Sequence, residues 1–465
     1  MLKLAGRLDG SLTKILGCLV FLLSFLLNYY LTIRKNLFDF TNSDLLYSPL
    51  FSEDLKNLNL SVLQWDVPPA PYFFPDIFLS SLAHFFLNPF LFSFLPYSIF
   101  VTTTLYFLIR KIQPKINFEY SLLMLSILLS TFNFFPETLA LFFFPTYHVS
   151  AFLLCLYFFS LKNEFRSRDL ILLLFFSISD KILFSILFLP IGLILIWEKQ
   201  YRQIVKLIFT TILIFIIIIV MEKLSFFHIP KIPILNEFKR ILKEHRLLEN
   251  FYLSLKQTNT EFKELCFFLI PSFILLIGNI AFSFQRRISL LILLSILIQI
   301  LIQVIFGFSI SFRYNWFLFL TPFIGLFFYF EFLKRSLWLL AIAILLIGIL
   351  KFDFSIPENN FIACLLEKRE LKHGISDYWN AKYIRFFTKN QIEVNSVTAS
   401  ISSYQWIQNR EWLSKDKQGQ NFNYQFILPE RLSQEILFQK FGEPKQIEKC
   451  AEKEIWIYPN GILKL

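Results

Sequence analysis

The chain has 465 residues, of which 55% are hydrophobic and only 17% charged, with 61 phenylalanines and a mean hydropathy of +0.56. A soluble domain carries about 25% charged residues, so these values exclude a soluble globular protein and indicate a polytopic membrane protein. The formal net charge of +11 does not mark a nucleic-acid binder, because residues 1–350 hold 29 Lys and Arg against 20 Asp and Glu while residues 351–465 hold 16 against 14; the excess lies in the apolar part, where it reports topology.

From the N-terminus onward, apolar runs able to cross the hydrocarbon, about 20 residues for a helix, alternate with basic clusters. These are Lys3, Arg7 and Lys14; Arg110, Lys111 and Lys115; Lys162, Arg166 and Arg168; Lys199, Arg202 and Lys206; Arg286 and Arg287; and Lys334 and Arg335. Placing each cluster in the cytoplasm demands an even number of crossings between neighbours. Arg168 to Trp197 then reads as two short helices turning at Ser179-Asp180-Lys181. The same parity gives about eleven spans, near 15–32, 88–109, 118–134, 148–161, 169–179, 182–197, 207–221, 265–284, 288–306, 315–332 and 336–350. The N-terminus is expected inside, and the first loop and residues 351–465 outside. No small-x-small cleavage pattern follows the first span, only NYYLTIRKN, so it reads as a retained anchor.

The first outer loop, 33–87, is unusual for a segment between apolar runs. Residues 36–77 hold six carboxylates among several prolines and no glycine. Proline fixes φ, so this composition suits a rigid loop that holds carboxylates at the membrane surface; a solvated loop kept out of the lipid is the plain alternative. Asp44 and Asp76 are the two candidate catalytic carboxylates. Both also stand at helix starts, where a carboxylate caps free N–H groups.

Within 222–264, apolar residues from Ile234 to Leu255 recur at helical spacing, with Lys239, Arg240, Lys243 and Glu244 between them. That predicts an interfacial amphipathic helix over 230–258. The expected organisation is thus an all-α transmembrane domain over 1–350 followed by a small extracytoplasmic α/β domain over 351–465, in which stretches such as FIACLLEKRELK and EIWIYP alternate helical and strand-like character. Cys364 and Cys450 are the only thiols of that tail, and an even pair in an oxidising compartment predicts a disulfide.

Several features together resemble the GT-C class of membrane glycosyltransferases: an N-terminal span, an early acidic residue in Asn42-Ser43-Asp44-Leu45-Leu46-Tyr47, the segment Val67-Pro68-Pro69-Ala70-Pro71, the Ser179-Asp180-Lys181 turn, Arg313-Tyr314 at the start of a late span, and a soluble domain after the last helix. More narrowly, the chain resembles bacterial membrane proteins with W-x-x-P-P-A-P-Y-F-F-P-D in the first loop and Ser376-Asp377-Tyr378-Trp379 in the tail. The wider resemblance implies a GT-C-like fold and a transferase using a polyprenyl-phosphate-linked sugar. Asp44 is followed by Leu45, so neither Asp-Glu nor Asp-x-Asp stands there.

Sugar transfer to a hydroxyl needs a general base and positive charge where the phosphate leaves. Asp44 is the expected base and Asp76 the second carboxylate. Arg313, beside Tyr314, suits phosphate because a guanidinium can grip it with two N–H groups, and Lys181 is the second cation; span-end snorkelling is the alternative for both. His148 stands at another outer helix start and could donate to substrate, or belong to an aromatic belt. No His/Cys cluster has metal-ligand spacing and no phosphate-binding glycine motif occurs, so no cofactor is required, while a divalent metal stays open. The expectation is a multi-pass bacterial inner-membrane glycosyltransferase at the outer face, with a polyprenyl-phosphate sugar, the bilayer and an acceptor glycan, lipid or protein as partners and no nucleic acid. The alternative is a non-catalytic scaffold or a transporter of envelope components.

Overall fold

The computed structural model describes residues 10–38, 43–57, 60–68, 70–86, 93–131, 136–146, 148–159, 166–180, 183, 187–223, 234–258, 274, 277–278, 286–308, 310, 330–350, 359–404 and 406–462. In chain order the main elements are α1 Gly10–Ile33, α2 Tyr47–Asn57, β1 Trp65–Asp66, α3 Phe78–Phe86, α4 Leu95–Ile112, α5 Phe118–Thr131, α6 Pro136–Phe143, α7 Val149–Phe159, α8 Ser167–Ser179, α9 Leu189–Trp197, α10 Tyr201–Lys223, α11 Ile234–Lys243, α12 Leu247–Lys256, α13 Arg286–Phe306 and α14 Phe330–Leu350. The tail adds α15 Asn360–Glu367, β2 His373–Ser376, α16 Tyr378–Phe387, β3 Glu393–Ser396, β4 Gln408–Asn409, β5 Tyr424–Ile427, α17 Gln434–Phe441, β6 Gln446–Cys450 and β7 Lys453–Ile462. The protein is mostly helical with a small C-terminal sheet.

Two compact units divide the chain. The helical unit comprises Met1–Ile33, Tyr97–Ile219 and Lys231–Asp353; the other joins Arg34–Pro96, Val220–Pro230 and Phe354–Leu465 and is called here the loop–tail unit. The segment between the first two expected spans, assigned from sequence to the membrane domain as its first outer loop, therefore groups with the tail.

Among the described residues three helical stretches are long and apolar enough to cross a membrane: Ser11–Asn36, Tyr201–Val220 and Arg286–Phe306. Phe118–Thr131 and Ser336–Leu350 are apolar but shorter. Other expected spans correspond to short helices such as α7 to α9 or, as for most of 265–284 and 315–332, lie outside the described residues; α6 falls between two expected spans. In the helical unit α1, α5 and α14 pack together. α1 turns Ser24, Asn28 and Thr32 inward and exposes Leu19, Leu22, Leu23 and Leu26, while most of the length of α10 is exposed and apolar, including Val205, Phe209, Ile212 and Ile216. Buried hydroxyls in this unit bond mainly to the carbonyl one turn back, as Thr210 does to Lys206 (2.9 Å) and Ser295 to Leu291 (2.8 Å).

The predicted amphipathic segment forms two helices rather than one. α11 ends in a turn at Glu244–Arg246 with His245 at φ +53°, a conformation that stops a right-handed helix.

In the loop–tail unit the five-stranded sheet has the order β3-β2-β5-β7-β6, with β3, β2 and β5 parallel and β7 antiparallel to both β5 and β6. Alternation along β7 sends Ile455 and Ile457 into one core with α15 and α16, and Trp456 and Tyr458 into another with α17, as a period of two requires. Gly374 pairs with Phe426, and a Cβ there would come within 2.4 Å of the Phe426 ring. Cys364 and Cys450 are disulfide-bonded, with Cα atoms 5.5 Å apart, tying α15 to β6. The loop joins this fold through an antiparallel two-strand ladder, Trp65 opposite Asn409 and Asp66 opposite Gln408.

Candidate active site

Helix α16 starts where the Asp377 carboxylate accepts from the N–H groups of Trp379 (2.9 Å) and Asn380 (3.4 Å), an N-cap. From that start, Tyr378, Lys382 and Arg385 recur at helical spacing and share one face. All three are buried. Two buried basic groups inside a small domain demand partners; the tail bonds both, and the first loop adds carboxylates and the Trp65 ring nearby.

Asp54 of α2 is buried. Its Oδ2 accepts from Trp65 Nε1 (2.9 Å), Trp412 Nε1 (3.0 Å) and Asn409 Nδ2 (2.9 Å), so one loop carboxylate gathers donors from loop and tail. Burial nevertheless raises its pKa to about 6, against the lowering pull of those bonds and of Arg385. Arg410 Nη2 and Nε lie 2.8 and 2.9 Å from Asp66 Oδ1, a second tie.

Lys382 donates its Nζ to the carbonyl of Ile407. The same nitrogen lies 5.2 Å from the ring centre of Tyr378, 5.6 Å from Trp412 and 5.8 Å from Trp65, within cation–π range. Desolvation pulls its pKa down to about 7; Asp44, Asp54 and Asp66 oppose the fall and Arg385 adds to it. Arg385 donates Nε to Val394 O and Nη2 to Asn395 Oδ1, each at 2.8 Å, and its guanidinium sits 4.1 Å from the Trp412 ring centre. Burial lowers its pKa, with Glu393 and Asp54 opposing.

Asp44 stands at the edge of this cluster, in the 3₁₀ turn Ser43–Leu46 before α2. Tyr378 Oη donates to its Oδ1 at 2.6 Å. Asp44 is part-exposed, whereas Asp54, Asp66 and Asp76 are buried. A carboxylate held by a tyrosine beside buried cations, yet reachable, can accept a proton from an acceptor hydroxyl. Tyr404, whose pKa is raised by burial and by Asp44, packs at a tilt against Tyr378 with ring centres 5.1 Å apart.

The remaining expected site residues belong to either unit or lie outside the described residues. Asp76 belongs to the same unit as Asp44, in the turn Phe73–Ile77, and is buried. His148 is in the helical unit: its Nδ1 lies 2.7 Å from Asp180 Oδ2, both side chains are buried, and its backbone adopts φ +67°. Lys181, Arg313 and Tyr314 lie outside the described residues, as does the arrangement of two carboxylates facing two cations that required them. Among the described residues no three His, Cys, Asp or Glu side chains gather as a cation site.

Sequence reasoning missed Asp54, Asp66, Lys382 and Arg385. The signal for the cations was Tyr-x-x-x-Lys-x-x-Arg beginning one residue after the Asp377 cap; nothing in the sequence announced that a segment more than 300 residues earlier would cover them. Searches of family models, curated proteins and solved structures yield no match to this chain.

Proposed function

We propose that the chain is a membrane glycosyltransferase that moves a sugar from a polyprenyl-phosphate donor to an acceptor hydroxyl, with Asp44 as general base. The observation that carries this reading is the placement of Asp44: a part-exposed carboxylate positioned by Tyr378 at 2.6 Å, while Asp54 and Asp66 are engaged in the buried network. In the proposed reaction Asp44 takes the acceptor proton, the freed oxygen attacks the anomeric carbon, and the bond from that carbon to the phosphate oxygen breaks, its electron pair leaving on the polyprenyl phosphate. Lys181 and Arg313 are the proposed cations for that leaving charge, and Asp76 and His148 are held as supporting residues. The same proposal includes a GT-C-like domain of about eleven spans, as the basic clusters suggest, with the loop–tail unit on the outer face of a bacterial inner membrane.

The test is the lipid-linked sugar pool of cells that lack the protein, or that carry Asp44→Asn at normal abundance. Accumulation of a polyprenyl-phosphate sugar, with loss of one glycan modification, is expected in both. An unchanged pool and an unchanged glycan profile would sink the proposal.

A transporter of envelope components is the second reading. It draws on the buried His148–Asp180 pair, because ionisable pairs among spanning helices often mark substrate or proton paths. His148→Ala would then block movement of cargo without building up a lipid-linked sugar.

A further inference from the structure

Helix α12 inverts the pattern of a soluble amphipathic helix. Its inward residues are polar: Asn250 and Ser254 are buried, and they donate to the carbonyls of Ile305 (2.8 Å) and Gln303 (3.3 Å). Those carbonyls belong to the last four residues of α13, where an α-helix runs out of its regular donors; that of Gln303 also accepts from the Phe308 N–H (2.9 Å). The fit is close, since a Cβ at Gly307, which stands at φ +69°, would lie 3.1 Å from Asn250 Oδ1. α12 is thus fastened to the C-terminal end of a helix of membrane-crossing length, Arg286–Phe306. The end of such a helix marks a membrane boundary.

The outward residues are apolar. Leu248, Phe251, Tyr252 and Leu255, at the i, i+3, i+4, i+7 spacing of one helix face, are 83%, 48%, 64% and 47% exposed. Leu242 of α11 is exposed as well. Exposed basic residues border this face: Lys239, Arg240 and Lys243 on α11 and Lys256 on α12. Of the acids in this segment, Glu244 and Glu249 are engaged by Arg246, at 3.5 and 3.0 Å. An apolar face bordered by cations at a membrane boundary matches an anionic lipid surface in both hydrophobicity and charge.

We propose that α11 and α12 form a lipid-docking element, with Leu248, Phe251, Tyr252 and Leu255 in the acyl region and Lys239, Lys243 and Lys256 on the phosphates of anionic phospholipids. The proposal is independent of the glycosyltransferase reading. It goes beyond the interfacial helix expected from sequence by naming the lipid class, the residues that select it and the anchoring bonds to α13.

The test uses the full chain with Cys18, Cys155 and Cys266 replaced by serine, the disulfide pair retained, and a spin label attached through Leu248→Cys or Tyr252→Cys. The chain is reconstituted in phosphatidylcholine vesicles with and without phosphatidylglycerol, and label accessibility to oxygen and to a water-soluble nickel complex is compared. Both labels should favour oxygen, and phosphatidylglycerol should shift them deeper. The combined Lys239→Gln, Lys243→Gln and Lys256→Gln variant should lose that shift while keeping the oxygen preference. Labels open to the nickel complex in both vesicle types would show a water-facing surface and overturn the proposal. Labels shielded from both reagents would show a protein neighbour, and depth insensitive to phosphatidylglycerol would remove lipid selectivity; each result also overturns it.

Discussion

The two units of this protein satisfy buried polarity in opposite ways. In the helical unit, buried hydroxyls mostly close short bonds within their own helix, one turn back, as Thr102, Thr210 and Ser295 do. In the loop–tail unit, carboxyl groups close bonds across the sequence: the buried Asp54 with Asn409 and Trp412, the buried Asp66 with Arg410, and the part-exposed Asp44 with Tyr378. A helix among apolar surroundings must be locally self-sufficient. In the small mixed domain the buried Lys382 and Arg385 bond to the tail's own Ile407, Val394 and Asn395, while the first loop adds the Trp65 ring and nearby carboxylates. The first loop and the tail are therefore joined by electrostatics and hydrogen bonds as much as by apolar packing.

The difference predicts where substitutions will be felt. Cys450→Ser should have the largest effect, because the bond joins residues 86 positions apart and the chain-entropy estimate for such a loop is about 4.5 kcal/mol. Denaturant unfolding of the full chain followed by tryptophan fluorescence should show this loss in the loop–tail transition alone, and reduction should shift the mobility of the wild-type chain but not of the variant. Asp54→Ala should come next. It strands two indole N–H groups and an amide together, and with a penalty of about 1–3 kcal/mol for an orphaned buried donor a loss of about 3 kcal/mol is expected. Asp54→Asn, which keeps an acceptor oxygen, should cost less. If the two substitutions prove equally mild, the loop is not fastened to the tail by this network.

The pH dependence sharpens the contrast, since Lys382 and Asp54 are shifted in opposite senses. Lys382 has its pKa lowered by burial from 10.5 to about 7, so the unfolded chain holds its proton more tightly and this group contributes stability above 10.5 that is lost as pH falls through 7. Asp54 is raised from 3.8 to about 6; its contribution is complete below 3.8 and is lost as pH rises through 6. Melting of the loop–tail transition should therefore rise from pH 7 toward 10, and Lys382→Met should remove that rise. An identical alkaline slope in the variant would show that Lys382 keeps its ordinary pKa. Thr210→Val in the helical unit should have the smallest effect, under about 0.5 kcal/mol, because the Lys206 carbonyl retains its place in the helix ladder.

Sequence reading reached what local pattern and composition encode. The apolar helices, the mixed α/β tail and the pairing of Cys364 with Cys450 followed from run length, alternation and cysteine arithmetic. Asp44 stood out because it follows the first span directly, and it lies beside the buried cluster. Asp54 and Lys382 did not stand out, because each looks like an ordinary surface charge until a partner far away in sequence covers it. The break of the amphipathic segment at His245 was equally hidden, since the apolar spacing continues across the turn. His148 was singled out as a lone donor; its bond to Asp180 joins residues 32 positions apart, a distance no periodicity reports.

The central claim is that Asp44 is the proton acceptor of a lipid-linked sugar transfer. It is tested most directly by quantifying polyprenyl-phosphate sugars in cells expressing the wild-type chain, Asp44→Asn or Tyr378→Phe at matched abundance. The account predicts accumulation of one lipid-linked sugar in Asp44→Asn, with a smaller accumulation in Tyr378→Phe, where the carboxylate remains but its 2.6 Å tether is lost. Wild-type levels of every lipid-linked sugar in the Asp44→Asn cells would contradict it.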